Sequence, residues 1–313
     1  MTLLELRGLS VEFDRVRLVD EVSFSVNLRE VVCLVGESGS GKTVTALAVA
    51  RLLPSPPATC VGQILFEGED VYEMSRTRLR AMRGGEVAYV FQEPAASLNP
   101  VMTVGRQISE ALELHRPESA TDGEVAGLLR LVGIPAPESR MRDYPFQLSG
   151  GMQQRVMIAI ALASEPKLLI ADEPTTALDV TVQAQVLDLL TELKSRLGMA
   201  MLFITHNLGI VREIADRVVV MYAGQVVEIA PVRELLSGPL HPYTKALIES
   251  VPSLTHVAAR LTALAGVVPP PGTFPPGCRF YPRCPTRKPE CATMMPELNH
   301  RGNGRWVRCV CVE

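Results

Sequence analysis

One eight-residue segment combines the residue types needed to bind phosphate groups. It reads Gly-Glu-Ser-Gly-Ser-Gly-Lys-Thr, and its candidate ligands are Gly36, Ser38, Gly39, Ser40, Gly41, Lys42 and Thr43. Glycines let backbone N–H groups converge on phosphate oxygens, a lysine adds positive charge, and a hydroxyl can bind Mg²⁺. The apolar residues 31–35 predict a strand before the segment, and residues 44–53 predict a helix after it. The pattern alone leaves a structural glycine-rich turn as the alternative.

Four further polar residues follow runs of apolar residues that predict buried strands: Gln92, Asp172, Glu173 and His206. Parallel sheets bind ligands at the carboxyl ends of their strands. We therefore expect Asp172 to hold Mg²⁺ and Glu173 to activate the water that attacks a γ-phosphate. Gln92 would contact Mg²⁺ or that water, unless it only caps a turn. His206 would sense the γ-phosphate, although a lone histidine is usually an ordinary core or surface residue.

A second glycine-containing segment, 148–155, precedes the apolar residues 156–163 of a predicted helix. A serine and two glycines at a helix start leave backbone N–H groups that can bind an anion. The candidate anion ligands here are Ser149, Gly150, Gly151 and Gln153. A chain with two phosphate-type sites needs an explanation for the second one.

The remaining positions predict the elements around these sites. Alternating apolar and polar residues in the first 30 positions favour a small antiparallel sheet. In that sheet Phe13 could stack on an adenine ring or simply pack as a strand aromatic. Residues 95–147 show helical spacing and predict a helical insertion. Asp179 precedes the predicted helix 180–197.

Composition limits the classes of function. The chain has 313 residues and a net charge of −3, which argues against a general nucleic-acid binder. It has no apolar run of 18 residues and no secretory signal pattern at its start, so we expect a soluble, intracellular protein.

In their order and spacing, these motifs resemble the nucleotide-binding subunits of ABC transporters. The resemblance implies an α/β fold with a RecA-like core, an antiparallel β subdomain and a helical subdomain. It also implies ATP and Mg²⁺ as ligands, and a signature segment, 148–155, that closes over ATP held by a second subunit. Asp179 then belongs to a loop of the nucleotide site. We expect a nucleotide-binding domain at 1–232 with its helical subdomain at 95–165, a helical linker at 233–265 and a cysteine-rich module at 266–313.

The segments 144–159 and 241–247 resemble a narrower group, the D-type ATPase subunits of dipeptide, oligopeptide and nickel importers. This implies that ATP hydrolysis drives import, with peptide as the expected cargo and nickel or another small solute as the alternative. The implied partners are a second ATPase subunit, F-type or identical, two integral-membrane permeases and, indirectly, an extracytoplasmic substrate-binding protein. The expected location is the cytoplasmic face of the membrane, and no nucleic-acid partner is expected. The rival classes are a non-transport ABC ATPase that acts on DNA or ribosomes and a redox-regulated ATPase.

Five of the seven cysteines lie in the last 36 residues, in a proline-rich segment: Cys278, Cys284, Cys291, Cys309 and Cys311. A proline-rich segment with few apolar residues often needs a staple, and clustered cysteines in a reducing compartment suggest a metal. The spacing resembles the C-terminal extension of D-type subunits, some of which hold a [4Fe–4S] cluster on four cysteines, here Cys278, Cys284, Cys291 and Cys309. Zinc, and free thiols or disulfides, remain alternatives.

Overall fold

The computed structural model describes residues 1–176, 178–250 and 266–312. Within these ranges the strands are β1 (Thr2–Phe13), β2 (Val16–Asn27), β3 (Val31–Val35), β4 (Ala58–Phe66), β5 (Glu69–Asp70), β6 (Val87–Val90), β7 (Leu168–Asp172), β8 (Ala200–Thr205), β9 (Arg217–Tyr222), β10 (Gln225–Pro231), β11 (Asn299–His300) and β12 (Trp306–Val307). The helices are α1 (Lys42–Val49), α2 (Arg76–Met82), α3 (Pro94–Ser97), α4 (Val104–His115), α5 (Asp122–Leu131), α6 (Pro137–Arg140), α7 (Gly150–Leu162), α8 (Val180–Leu197), α9 (Leu208–Ile214), α10 (Val232–Ser237) and α11 (Pro242–Glu249). No helix among the described residues is both long and apolar enough to span a bilayer.

One compact unit is drawn from residues 2–26, 31–72 and 204–313. It contains a four-stranded sheet in the order β2-β1-β4-β5, in which β1 and β4 run antiparallel. Leu4 lies opposite Phe66 and Leu6 opposite Ile64, and all four side chains are buried. The alternating N-terminal sequence therefore predicted this sheet correctly, because every second side chain faces the core.

A second group of strands in the same unit positions the glycine-rich segment. Strands β3 and β9 are parallel, with Cys33 opposite Val218, and β9 continues antiparallel to β10. All five side chains of β3 are buried, as expected for a strand covered on both faces. Residues 36–41 connect this strand to α1, so the predicted strand, loop and helix are confirmed.

The other compact unit is drawn from residue 1 and residues 27–30 and 73–203. Its strands β6 and β7 are parallel, and Val90 lies opposite Ala171 near their carboxyl ends. Gln92 and Glu173 therefore leave neighbouring strands at the same edge. The helices of residues 95–165 surround a core that includes Ile108, Leu129 and Val156, each fully buried.

Some element boundaries differ from those predicted. Helix α1 covers Lys42–Val49 rather than 44–53, and the chain turns before the prolines at 54, 56 and 57. Helix α8 covers the predicted residues 180–197. The domain boundaries at 232 and 265 stay predictions, and residues 251–265 of the predicted linker lie outside the described residues.

Candidate functional site

The glycine-rich loop adopts a backbone that side chains would obstruct. Gly36 has φ +156°, and a Cβ atom there would lie 2.2 Å from the carbonyl oxygen of Met221. Gly41 has φ +98° and caps the start of α1. Both positions therefore require glycine, one because of a close backbone approach and the other because of its left-handed conformation.

The first turn of α1 has no side-chain cap and carries a lysine. Its N-cap, Gly41, provides no side-chain cap, and no acidic residue lies in the first turn, whereas Ser149 and Asp179 cap α7 and α8. The buried ammonium of Lys42 donates to the carbonyl oxygens of Gly36 at 2.9 Å and Glu37 at 3.0 Å. Positive charge and helix N–H groups therefore share this turn, and the loop fits a phosphate group. Thr43 is exposed beside it, where its hydroxyl could reach Mg²⁺.

Asp172 is buried at the end of β7, where its carboxylate has a partner that sequence reasoning missed. The Tyr89 hydroxyl donates to Asp172 Oδ2 at 2.9 Å. Burial, together with the Asp172 charge, raises the pKa of Tyr89, so the phenol stays a donor. A tyrosine inside the apolar run 87–91 was the available signal, because buried phenols usually need a hydrogen-bond partner.

Glu173 and Gln92 meet in the structure, because they follow the neighbouring parallel strands β7 and β6. Gln92 Nε2 lies 3.4 Å from Glu173 Oε2, and the Thr176 hydroxyl donates to the same oxygen at 2.9 Å. Glu173 itself has φ +46°, in the left-handed region that non-glycine residues rarely adopt. Such backbone strain is typical of positions that function constrains. Thr176 was not singled out from the sequence.

The segment 148–155 forms a capped helix start. Ser149 accepts a hydrogen bond from the Met152 N–H at 3.4 Å. Gly151 lies so close to α8 that a Cβ atom would be 2.6 Å from Val182 Cγ1. Gln153 Nε2 donates to the carbonyl oxygens of Pro145 and Leu148, so this amide braces the turn before the helix.

The other predicted ligands lie at the ends of elements. Phe13 is half-buried at the end of β1, and His206 is exposed directly after β8. Asp179 accepts from the Val182 N–H at 2.9 Å and begins α8. These positions are compatible with the predicted roles, which stay predictions.

The C-terminal cysteines approach one another without forming a metal site. Cys291 Sγ lies 3.9 Å from Cys311 Sγ, and the Cys278 N–H donates to the Cys291 carbonyl. Burial and the neighbouring Cys278 and Cys284 raise the pKa of Cys309, and burial with neighbouring thiols raises the pKa of Cys311 to about 11. Within residues 1–176, 178–250 and 266–312, no three or more His, Cys, Asp or Glu side chains are placed to hold a metal ion. This arrangement does not support the iron–sulfur or zinc expectation.

Tyr243 and Arg283, which lie far along the chain, contact the glycine-rich loop at Glu37. The Glu37 N–H donates to the Tyr243 hydroxyl at 2.9 Å, and the Glu37 carboxylate accepts from Arg283. His241, almost fully buried, begins α11 and accepts from the Tyr243 N–H at 3.0 Å. Neither the segment 241–247 nor Arg283 was predicted to contact the glycine-rich loop.

Two family models match the chain. The model described as ABC transporter matches residues 19–176. The model described as the C-terminal region of oligopeptide/dipeptide transporters matches residues 227–291.

Among the curated relatives, the oligopeptide transport ATP-binding protein AppD of Bacillus subtilis is 48% identical, covering 100% of this chain and 97% of its own length. The dipeptide transport ATP-binding protein DppD of Escherichia coli is 47% identical, covering 99% and 96%. A putative peptide import ATP-binding protein of Brucella abortus is 47% identical, covering 98% and 94%.

Solved structures match the fold. CbiO1 of Clostridium perfringens, part of the ABC transporter complex CbiONQ, aligns with a TM-score of 0.66 and 28% identity over 76% of this chain and 91% of that one. A dimeric post-hydrolysis state of the ATP-binding cassette MJ0796 with ADP and phosphate aligns with a TM-score of 0.63 and 24% identity over 74% and 99%. The α/β fold predicted from the motifs is therefore confirmed.

Proposed function

We propose that this chain, which belongs to the ABC transporter family, is the ATP-hydrolysing subunit of a peptide importer. The observation that carries the proposal is near-full-length identity of 47–48% to ATP-binding proteins named for peptide, oligopeptide or dipeptide transport. The C-terminal family match adds independent support, since it covers a region outside the nucleotide-binding motifs. These names favour peptide over nickel as the cargo, and favour transport over a role on DNA or ribosomes.

ATP would be held by its phosphates in the loop 36–43. The uncapped start of α1 supplies backbone N–H groups, and Lys42 adds the charge that faces the β- and γ-phosphates. The hydroxyl of Thr43 and the carboxylate of Asp172 would hold Mg²⁺, which neutralises charge on the phosphate oxygens. Tyr89 supports this role, because its hydrogen bond fixes one carboxylate oxygen of Asp172.

Hydrolysis would proceed by attack of water on the γ-phosphate. Glu173 would accept the proton or orient that water, while Gln92 and His206 would contact the water or the phosphate. Support comes from the hydrogen bonds that Thr176 and Gln92 direct to one Glu173 oxygen, because these contacts fix the orientation of the carboxylate.

The signature segment would act on nucleotide bound to the partner ATPase subunit. Ser149, Gly150, Gly151 and Gln153 would face that nucleotide, and Asp179 would lie in the loop beside it. The start of α7 is the physical support, because a helix N-terminus favours negative charge. ATP would then join two subunits, F-type or identical, and its hydrolysis would separate them.

The test of the catalytic assignment uses the full-length chain. Glu173→Gln is expected to lower the rate of phosphate release roughly 100- to 10,000-fold, the usual contribution of a general base, with ATP binding retained. Glu192→Gln, on the exposed face of α8, is the matched control and keeps the wild-type rate. Normal hydrolysis by the Glu173 variant contradicts the assignment.

A groove beside β6 supports docking of the membrane permeases. It has a volume of about 560 Å³, and its lining includes Tyr89, Phe91, Leu98, Ala111, Leu114 and Ile160. The side chains of Phe91 and Leu114 are 41% and 72% exposed, although both are apolar. An exposed apolar groove favours a protein partner, and a chain of this kind acts on a membrane only through such partners. The chain would thus lie peripherally on the cytoplasmic face, with the substrate-binding protein contacted only through the permeases.

The groove is tested by co-purification with the membrane subunits. Leu114→Glu is expected to reduce recovery of the permeases while the ATP affinity of the isolated chain stays unchanged. Val61→Glu, at an exposed apolar position of β4, is the control and keeps full recovery. Equal recovery with both variants argues against docking at this groove.

For the C-terminal segment we propose a [4Fe–4S] cluster bound by Cys278, Cys284, Cys291 and Cys309, with zinc as the alternative metal. Its support is the proximity of the thiols: burial, and then the neighbouring cysteines, raise the pKa of Cys278 and Cys309, and a bound cation would stabilise the thiolates. Cys311 competes for the fourth position, because its sulfur lies 3.9 Å from that of Cys291. Binding would require the thiols to move closer together than they are here. Iron, sulfide and zinc analysis of anaerobically purified protein decides between the metals, and metal-free, fully active protein refutes both.

Peptide uptake by the assembled transporter tests the cargo. Vesicles that contain the complex are expected to accumulate labelled dipeptide only when ATP is supplied on the side of this chain. Uptake of nickel without uptake of peptide would move the assignment to the alternative cargo.

A further inference from the structure

The phosphate loop has a charged residue that nucleotide binding does not itself require. Glu37, the second residue of the loop, adds a carboxylate to the segment that is proposed to bind a highly anionic nucleotide. Left alone, this charge would repel phosphate groups over a few ångströms. A positively charged partner of Glu37 would therefore favour the binding of ATP by the loop.

That partner comes from the cysteine-rich segment. The guanidinium of Arg283 donates to both oxygens of Glu37, at 2.9 and 3.1 Å, in a fork geometry that fixes direction as well as distance. The Arg283 side chain is only 6% exposed, and it also lies over the ring of Tyr222. The Glu37 side chain is 27% exposed, so the pair is partly buried and is screened less than a surface ion pair.

A second contact joins the same segment to the loop through the turn between β9 and β10. Arg279 donates to the carbonyl oxygen of Ala223 and forms a buried ion pair with Asp20. The next residue, Gly224, donates its N–H to the carbonyl oxygen of Ser40 in the phosphate loop, at 3.0 Å. The 278–284 loop thus supports the phosphate loop at Glu37 directly and at Ser40 through one intermediate turn.

Aromatic packing fixes the 278–284 loop in this place. Phe280 is buried, with its ring 5.2 Å from that of Tyr222, 5.5 Å from that of Tyr243 and 5.8 Å from that of His241. Tyr243 in turn accepts the N–H of Glu37. Both the backbone and the side chain of Glu37 are therefore held by residues that follow the nucleotide-binding motifs in sequence.

We propose that Arg283 is a positioning residue for ATP: it neutralises Glu37 and holds the phosphate loop in its binding conformation. This rests on the proposed binding of ATP at residues 36–43. If the phosphate loop adopts its ATP-binding conformation in only a fraction of the molecules, the apparent affinity for ATP is reduced by that fraction. Loss of Arg283 should therefore weaken ATP binding without changing the chemical step.

The experiment measures the ATP dissociation constant, KM, kcat and melting temperature of the full-length chain. Arg283→Ala is expected to raise Kd and KM roughly tenfold with kcat within about twofold, as for a loop competent in about one molecule in ten. Arg283→Lys should recover part of the affinity, because lysine restores charge but not the fork. Arg287→Ala, an exposed arginine four residues on, is the control and leaves Kd unchanged.

A double variant separates positioning from simple stability. If Arg283 acts through Glu37, adding Glu37→Gln to Arg283→Ala should not weaken ATP binding further and should recover part of the affinity, since it removes the unpaired carboxylate that repels phosphate. A lowered melting temperature with Kd within twofold of wild type for Arg283→Ala and Arg283→Lys overturns the proposal and leaves a structural role only. Should Arg283→Ala fail to fold, Arg283→Lys and Glu37→Gln supply the same comparison. Failure of the wild-type chain to bind ATP would instead refute the proposed function.

Discussion

His241 predicts a specific dependence of stability on pH. Its imidazole is 1% exposed and accepts the Tyr243 N–H through Nδ1, so the fold requires the neutral form. Burial lowers its pKa from 6.5 to about 3. Since the folded pKa is below the unfolded one, the unfolded chain takes up the proton first as the pH falls. Stability from this group is therefore present above pH 6.5 and is lost as the pH falls from 6.5 toward 3.

The size of the effect follows from the two pKa values. Each pH unit between them costs about 1.4 kcal/mol, so lowering the pH from 7 to 5 should cost about 2 kcal/mol through His241 alone. His241→Asn keeps a side-chain acceptor at the start of α11 and removes the titration. Its own loss of stability between pH 7 and 5 should be about 2 kcal/mol smaller than that of the wild type.

Urea unfolding followed by circular dichroism at both pH values measures this difference. His300→Asn, at an exposed position of β11, is the control and should lose as much stability as the wild type. Equal losses in the wild type and His241→Asn would refute the reasoning, because they would mean that His241 takes up its proton equally in both states.

Three further outcomes are expected. Tyr89→Phe should lower the ATPase rate about 10-fold or more, with a higher Mg²⁺ requirement, because Asp172 loses the hydrogen bond that orients it; unchanged Mg²⁺ dependence would contradict this role. Gly36→Ala should abolish ATP binding in a calorimetric titration, since its Cβ would lie 2.2 Å from the Met221 carbonyl oxygen; retained affinity would show that the loop can shift. Burial raises the pKa of the Cys33 thiol, so peptide mapping after alkylation at pH 8 should find it unmodified in the native chain and modified in urea.

Local sequence signals predicted the strands, loops and helices that surround the proposed nucleotide site. The glycine-rich loop, the acidic strand end and helix α8 follow from residue type, spacing and apolar periodicity, which act over short stretches of chain. Strand β7 ends at Asp172, and Glu173 then turns into the left-handed region, which a run of apolar residues does not reveal.

The contacts that support the machinery could not be predicted in this way. Tyr89 and Asp172 are 83 residues apart, and Glu37 and Arg283 are 246 apart, so only the folded chain brings them together. The cysteines illustrate the opposite case. Their spacing predicted a metal site, but spacing fixes neither the distances between thiols nor their directions, and the described residues do not assemble one.

The distance in sequence between Glu37 and Arg283 also has a consequence for the order of events during protein synthesis. A ribosome adds ~5–20 residues per second, so the phosphate loop is made ~12–50 s before the arginine that pairs with it. During that interval the nascent loop carries an unpaired carboxylate and lacks its contact with Tyr243. High affinity for ATP is therefore expected to arise late, when the C-terminal segment folds back, and unfinished chains should compete poorly for the nucleotide of the cell.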